Sequence, residues 1–394
     1  MKAGTSIQGY RLLSDGTTAN SGRSLWAFAA KGGEEFFIKQ FLSPKYPVAG
    51  APGSEANKAK QRTKCADFEG RQRRIIDALK KSVGRGGNLI FPFDFFREGA
   101  LYYKVSEKVE TSALDVDGIR GLSTDEKLLL LVTIAHSVRI LHDAKIVHGD
   151  LKPPNILIKR TNKKKYVAKV IDFDDSYFEG PIELPPDEIV GDPAYYSPEL
   201  WGIISGKSDP KATLISTKSD VFALGIIFCQ YWCGHFPDFD RAKLKYLCNG
   251  VSEKGELAST GRSLPAPLEA LILKMLSADP EERPSVRDVF NELKSLKAAD
   301  IEASMRVRGS DGRTSIGGLF SGVLTSHRKV EDAVSPPPAA TSAAASPADR
   351  SGTRSELKRT PSAGVGLKGT LLTKSGSSIP VTGGLRGRAL KPKK

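Results

Sequence analysis

Residues Val221-Phe-Ala-Leu-Gly-Ile-Ile-Phe-Cys-Gln-Tyr-Trp232 are apolar on every side when wound into a helix. Such a helix has no face to offer water, so it must run through the centre of a fold with other elements packed around it. Both this run and the apolar stretch Leu128–Ala135 are too short to cross a bilayer. The 394-residue chain, 39% hydrophobic and 26% charged, is long enough to build that surround as one large domain with extensions.

The elements change character along the chain. Leu25-Trp-Ala-Phe-Ala and Phe36-Phe-Ile-Lys-Gln-Phe read as strands, with Lys31-Gly-Gly-Glu turning between them. Pro44, Pro47, Gly50, Pro52 and Gly53 mark a loop, a helical stretch follows over about 57–82, and 88–96 and 101–109 return to strand character. Beyond them the pattern is helical. Ser123-Thr-Asp-Glu126 has the form of a capping box in front of a long apolar helix. A strand-rich first third and a helical remainder predict two lobes with a cleft between them.

Four cysteines, at 65, 229, 233 and 248, form no disulfide framework, and only five histidines accompany them. Cys229 and Cys233 lie in the apolar run and are expected to pack on its helix, which points to a reducing, cytoplasmic setting with no structural zinc. The first residues lack the apolar stretch of a signal peptide, and no membrane insertion is expected. From 300 to 394 there are 16 Lys/Arg against seven Asp/Glu, so +9 of the net charge of +14 belongs to a tail rich in Ser, Pro, Gly and Ala. That composition predicts disorder. Phe320 is the tail's one aromatic residue, which argues against nucleic acid as a partner.

The chemistry concentrates in His148-Gly-Asp-Leu-Lys-Pro-Pro-Asn155 and in Val170-Ile-Asp-Phe-Asp174. A loop with Asp150, Lys152 and Asn155 at this spacing can set a carboxylate beside an incoming hydroxyl, an ammonium near a transferring phosphoryl group, and an amide oxygen on a metal. Asp172, at the end of an apolar strand, can hold the same metal from the other side. Phosphoryl transfer needs these parts because charge must be neutralised while the nucleophile is aligned.

Over about 7–297 the chain resembles the eukaryotic-type protein kinase superfamily. His148–Asn155 resembles its catalytic loop, Asp172-Phe-Asp its metal-binding Asp-Phe-Gly, Ser197-Pro-Glu199 its Ala-Pro-Glu, and Phe37-Ile-Lys39 its nucleotide-lysine strand. Asp220-Val-Phe-Ala-Leu-Gly225 matches the helix that braces the catalytic loop, and Arg283 stands where an arginine pairs with Glu199. The resemblance implies an α+β, two-lobed fold: a β-rich N-lobe over about 7–108, a helical C-lobe over about 109–297, and the tail from 298. It implies a protein serine/threonine kinase that uses ATP with Mg²⁺, or Mn²⁺ in its place, and it is similar to soluble bacterial members. Asp150 and Lys152 would be catalytic, and Asn155 and Asp172 would hold the metal. Lys39 would hold the α/β-phosphates, Glu107 to Val109 would meet adenine behind a gatekeeper at Ser106, and His148 would have a packing role.

The departures matter equally. Gly16-Thr-Thr-Ala-Asn-Ser-Gly22 stands where the family has Gly-x-Gly-x-x-Gly, with Gly16 and Gly22 left to approach phosphates. Residue type makes Glu69 the helix partner of Lys39, whereas apolar spacing favours Gln72. Gly149 replaces the arginine that reads an activating phosphate, Asp174 replaces a flexible glycine, and Asp192 stands where a threonine is usual, within reach of Lys152. These changes leave open a pseudokinase that serves as an ATP-binding scaffold, and also a small-molecule kinase of the same fold. The protein substrate is not named by the sequence. Thr360, Ser362, Ser335 and Ser346 are candidate acceptors for autophosphorylation in the tail.

Overall fold

The computed structural model describes residues 1–19, 24–82, 87–112, 114–181, 189, 191–209, 213–240, 244–254 and 264–310, all within the compact unit Met1–Ser315. Short strands β1 (Ser6–Ile7) and β2 (Tyr10–Leu12) lead into the hairpin of β3 (Ser24–Lys31) and β4 (Glu34–Phe41). Gly32 and Gly33 join the hairpin with φ of 62° and 85°. Two successive positive φ angles make the tight turn whose twist matches the strands, and glycine adopts them without a steric cost. The long helix α1 (Glu55–Ser82) follows, then β5 (Leu89–Ile90), β6 (Asp94–Glu98) and β7 (Leu101–Glu107). The N-terminal sheet has the order β1-β2-β3-β4-β7-β6, with every pair antiparallel. Cys65, Phe68 and Ile76 of α1 pack on Phe41, Phe95 and Tyr102 of the sheet.

The second lobe is helical. It begins with α2 (Val116–Arg120) and α3 (Thr124–Asp143), and the predicted capping box is formed: Glu126 N–H donates to Ser123 Oγ while Glu126 Oε2 accepts the Ser123 N–H. Strands β8 (Ile146–Val147), β9 (Ile156–Arg160), β10 (Tyr166–Ile171) and β11 (Tyr177–Phe178) flank the loop 148–155 and the segment 172–176, and β12 (Gly180–Pro181) pairs with β13 (Leu214–Ile215). The remaining helices are α4 (Pro198–Ile204), α5 (Lys218–Cys233), α6 (Leu247–Lys254), α7 (Ala266–Met275), α8 (Val286–Ser295) and α9 (Ala298–Ser310). Every residue of α5 from Ser219 to Cys233 is buried, as its all-round apolar sequence requires. All four cysteines are buried, and none is in a disulfide. Strand β5 reaches across from the N-terminal lobe and pairs in parallel with β10, setting Leu89 opposite Val170.

The fold runs past the expected boundary at 297. Helix α9 begins at Ala298 and buries Ile301 in the helical-lobe core, so the first turns of the predicted tail belong to the folded unit. An apolar isoleucine and a helix-compatible run outweigh the compositional signal there. The disorder expected further on concerns 311–394, which lies outside the described residues. Among the described residues no helix is long and apolar enough to cross a membrane.

Arg283 ties this lobe together. Its guanidinium makes a two-pronged bond to Glu199, at 2.8 Å on each side, and donates to the carbonyls of Ser277, Ala278 and Lys218. Arg283 is 1% exposed, and removing it leaves the Glu199 carboxylate, itself only 11% exposed, without its charge partner. Arg283→Met is expected to lower the unfolding free energy by about 3–5 kcal/mol, read by urea denaturation, whereas a change of under about 1 kcal/mol would show the pair to be dispensable.

Candidate active site

The catalytic loop is fixed from behind by α5. Asp220 accepts the backbone N–H groups of His148 (2.7 Å) and Gly149 (3.1 Å) and bonds His142 Nε2 at 3.0 Å. His148 bonds the Ile171 carbonyl through Nε2 and packs its ring on Phe173, so it is structural as expected and couples the two motifs. In front, Asp150 is surrounded. Lys152 Nζ lies 2.7 Å from Asp150 Oδ2, Asn155 Nδ2 donates to the same oxygen at 3.0 Å, and the Asp192 N–H approaches Oδ1 at 3.3 Å. Asn155 also donates to the Asp150 carbonyl at 2.7 Å. Its own Oδ1 accepts no bond among the described residues and is left as a hard oxygen ligand, which suits Mg²⁺. The Asp192 carboxylate turns away to cap Ala194 N–H, so Lys152 pairs with Asp150 and not, as its position suggested, with Asp192.

Lys39 and Asp172 meet across the cleft at 2.8 Å, and Lys39 also lies 2.7 Å from Asp174. Burial alone would lower the pKa of the Lys39 ammonium, but the two carboxylates outweigh it and hold the group above the ordinary lysine range. Asp174 is buried too, yet Lys104 and Lys39 hold its carboxyl well below the usual value. Asp172 goes the other way: burial and the neighbouring Asp174 charge outweigh Lys39 and raise it.

Among the described residues no carboxylate of α1 pairs with Lys39. Glu69 accepts the Tyr102 hydroxyl at 2.7 Å instead, because it faces the sheet and not the cleft. Gln72 occupies the buried station that the apolar spacing indicated, but it donates to the Asp174 carbonyl at 3.1 Å, and its buried Oε1 has no hydrogen-bond partner among the described residues. The phosphate-loop expectation changes as well. Gly16 packs on Met1, whose Cβ would lie 2.8 Å from a side chain at 16, so its missing side chain accommodates the N-terminus. Gly22 lies outside the described residues. Ser106 is opposite Phe37 in the sheet register and Glu107 opposite Phe36. Glu107 reaches Lys169 at 3.3 Å, and the chain leaves the sheet there, so Val109 makes no backbone hydrogen bond among the described residues.

Several contributors carried no sequence motif. Lys104 is opposite Lys39 in the register, 5% exposed, and 2.6 Å from Asp174. A lysine inside the apolar strand run Leu101-Tyr-Tyr-Lys-Val105 was the available signal. Trp26 and Phe28 stand opposite Lys39 and Phe37, and Trp26 stacks on Phe37 with ring centres 5.4 Å apart, giving the Lys39 face of the sheet an aromatic surface. Tyr177 covers Gly149, where a Cβ would meet the Tyr177 ring and the Asp175 carbonyl, each at 2.9 Å. Gly149 also has φ of 80°. The glycine is thus required by backbone and packing, apart from any loss of phosphate reading. Ser176 and Ser197 are buried and hydrogen-bonded to the His148 carbonyl and to Ser219.

Gly149→Ala is expected to lower stability by about 1–3 kcal/mol in urea unfolding, from the positive φ and the displaced tyrosine; a neutral result would show that the loop relaxes freely. Burial, together with the charges of Asp174, Asp172 and Asp150, pushes the Asp175 carboxyl up to about 7. The folded state therefore keeps a proton that the unfolded chain releases near pH ~4. This contribution to stability is full below that value and is lost as the pH rises through about 7. Without divalent cations, stability should fall by at most about 1.4 kcal/mol per pH unit across this window, and Asp175→Asn should flatten the slope; equal slopes would refute the assignment.

The protein kinase domain model matches residues 57–293, which excludes Lys39 and the strands before it. The ovarian-specific serine/threonine-protein kinase Lok of Drosophila melanogaster is 30% identical over 198 residues, 48% of this chain and 39% of that protein. The serine/threonine-protein kinase pkn3 of Myxococcus xanthus is 31% identical over 170 residues, 41% of this chain and 29% of its own. PrkC of Bacillus subtilis is 28% identical over 218 residues, 54% of this chain and 32% of its own. The chain thus spans less than two fifths of the length of each of these relatives. With the family model covering more than half of the chain, and with its motifs assembled around one cleft, the chain belongs to the protein kinase domain family.

Proposed function

We propose that the chain is an active protein serine/threonine kinase that transfers the γ-phosphoryl group of ATP to Ser or Thr hydroxyls of protein substrates. The observation that carries this is the closure of Lys152, Asn155 and the Asp192 N–H around the Asp150 carboxylate. A scaffold has no use for a carboxylate held so closely in front of a metal-type Asn and Asp. Asp150 orients the acceptor hydroxyl and takes its proton. Lys152 meets the negative charge that develops on the transferring group. Asn155 and Asp172 are the residues that would hold Mg²⁺, or Mn²⁺, and Lys39 the residue that would hold the α/β-phosphates, with the Glu107–Val109 backbone at adenine. Bound Mg²⁺ would neutralise phosphate charge during transfer.

The enzyme is of the non-RD type, with Gly149 before the catalytic Asp. Similarity to named serine/threonine kinases supports the acceptor class, and so does Lys152. The buried Arg283–Glu199 pair under the segment before α4 suits a platform for protein substrates better than a small-molecule site. Four buried cysteines outside any disulfide suit a reducing, cytoplasmic setting. A pseudokinase is the second reading, favoured by Gly16 being taken up by Met1 and by the lack of a helix carboxylate on Lys39.

Radiolabelled ATP with a generic protein acceptor separates the two. Wild type is expected to label Ser and Thr, and Asp150→Asn to lose about 10²–10⁴-fold in rate. Equal labelling by both proteins, or none by a folded wild type that binds nucleotide, would favour the scaffold. Mass spectrometry of the same two proteins from a kinase-free host tests autophosphorylation at Thr360, Ser362, Ser335 and Ser346, which requires phosphate in wild type alone.

A further inference from the structure

Two lysines on adjacent strands, Lys104 buried and the Lys39 side chain only 12% exposed, face one another beside the metal-binding motif. Lys39 and Lys104 are direct partners in the β4–β7 register, so their side chains leave the same face of the sheet. Two ammonium groups held that close repel unless a carboxylate stands between them. Asp174 does so, with Oδ2 at 2.7 Å from Lys39 and Oδ1 at 2.6 Å from Lys104. Among the described residues Lys104 has no other carboxylate partner, and at 5% exposure it cannot rely on water. Gln72, from α1, holds the Asp174 carbonyl. Glu69, the acidic candidate on this helix, is turned to Tyr102.

We propose that Asp174 is the positioning residue for Lys39, and that Lys104 and Gln72 exist to hold Asp174 in place. The task that a helix glutamate was expected to perform is carried out from within the metal loop. Charge balance explains why position 72 carries an amide. Lys39 and Lys104 already match Asp172 and Asp174, and a third carboxylate in the same buried volume would be unpaired. Asp172 is the carboxylate assigned to the metal, so Lys39 needs a partner that does not leave with it; Asp174 is that partner. The inference rests on Lys39 being the nucleotide lysine.

The test removes the pair together, so that no lone ammonium is buried, in Asp174→Asn/Lys104→Met, and then adds Gln72→Glu to the pair variant. Affinity for a fluorescent, non-hydrolysable ATP analogue with Mg²⁺ is measured beside kcat and KM for ATP, after thermal melting shows each protein folded. The pair variant is expected to lose at least about ten-fold in analogue affinity and to raise KM for ATP, since a misplaced Lys39 weakens the hold on phosphates. A role confined to stability would leave KM where it was. Gln72→Glu in that background is expected to recover most of the loss by returning a carboxylate to the helix. A folded pair variant with wild-type affinity and KM overturns the proposal, and so does an equal loss with and without Gln72→Glu. If the pair variant does not fold, the near-isosteric Asp174→Asn alone is read by the same affinity and KM. A wild type that binds the analogue but transfers no phosphoryl group refutes the catalytic function, while the analogue affinities still decide the role of Asp174.

Discussion

Asp220 sits inside the helical lobe, 2% exposed, and takes two backbone N–H groups and a histidine nitrogen on its two oxygens. A buried carboxylate is tolerable only when its charge is met in this way. The requirement works in both directions, because the same bonds fix where His148 and Gly149 lie. From them follow the direction of Asp150, the reach of Lys152 and Asn155 to it, and the contact of His148 with the strand that ends at Asp172. The apolar helix α5 is therefore more than filler, since the one acid in its first turn anchors the loop that is proposed to carry the chemistry.

The two lobes meet through backbone and charge at the same place. The β5–β10 pairing carries a strand of one lobe into the sheet of the other and ends at Ile171, just before the metal loop. Lys39 and Lys104 then reach from the N-terminal sheet to Asp172 and Asp174. Buried ion pairs of this kind add little net stability against apolar alternatives, but they define relative position sharply.

Much of this was legible in the sequence. The Gly32-Gly33 hairpin, the Ser123 capping box, the all-buried α5 and the Arg283–Glu199 pair each depend on residues close in sequence or on motifs of fixed order. The Asp150, Lys152 and Asn155 constellation is local to one loop for the same reason. What escaped depends on long-range register and side-chain direction. Glu69 and Gln72 share a helical face by spacing alone, and only the packing of α1 on the sheet decides that one meets Tyr102 and the other Asp174. Lys104 gained its role from being opposite Lys39, a fact of strand pairing. Gly149 was legible as a missing arginine, but the tyrosine that fills its place lies 28 residues further on.

That tyrosine has a wider consequence. A regulatory switch needs a second conformation only a few kcal/mol above the first, so that a ligand or modification of ordinary affinity can populate it. Here the segment after Asp174 is tied down: Ser176 is buried and bonded to the His148 carbonyl, Tyr177 is laid over Gly149, and β11 is paired with β8. Moving it would break core packing and sheet bonds together. An effector acting at this segment would need a differential affinity approaching about 10⁴-fold to invert the populations. Control exerted on substrate access or on the amount of protein meets no such barrier.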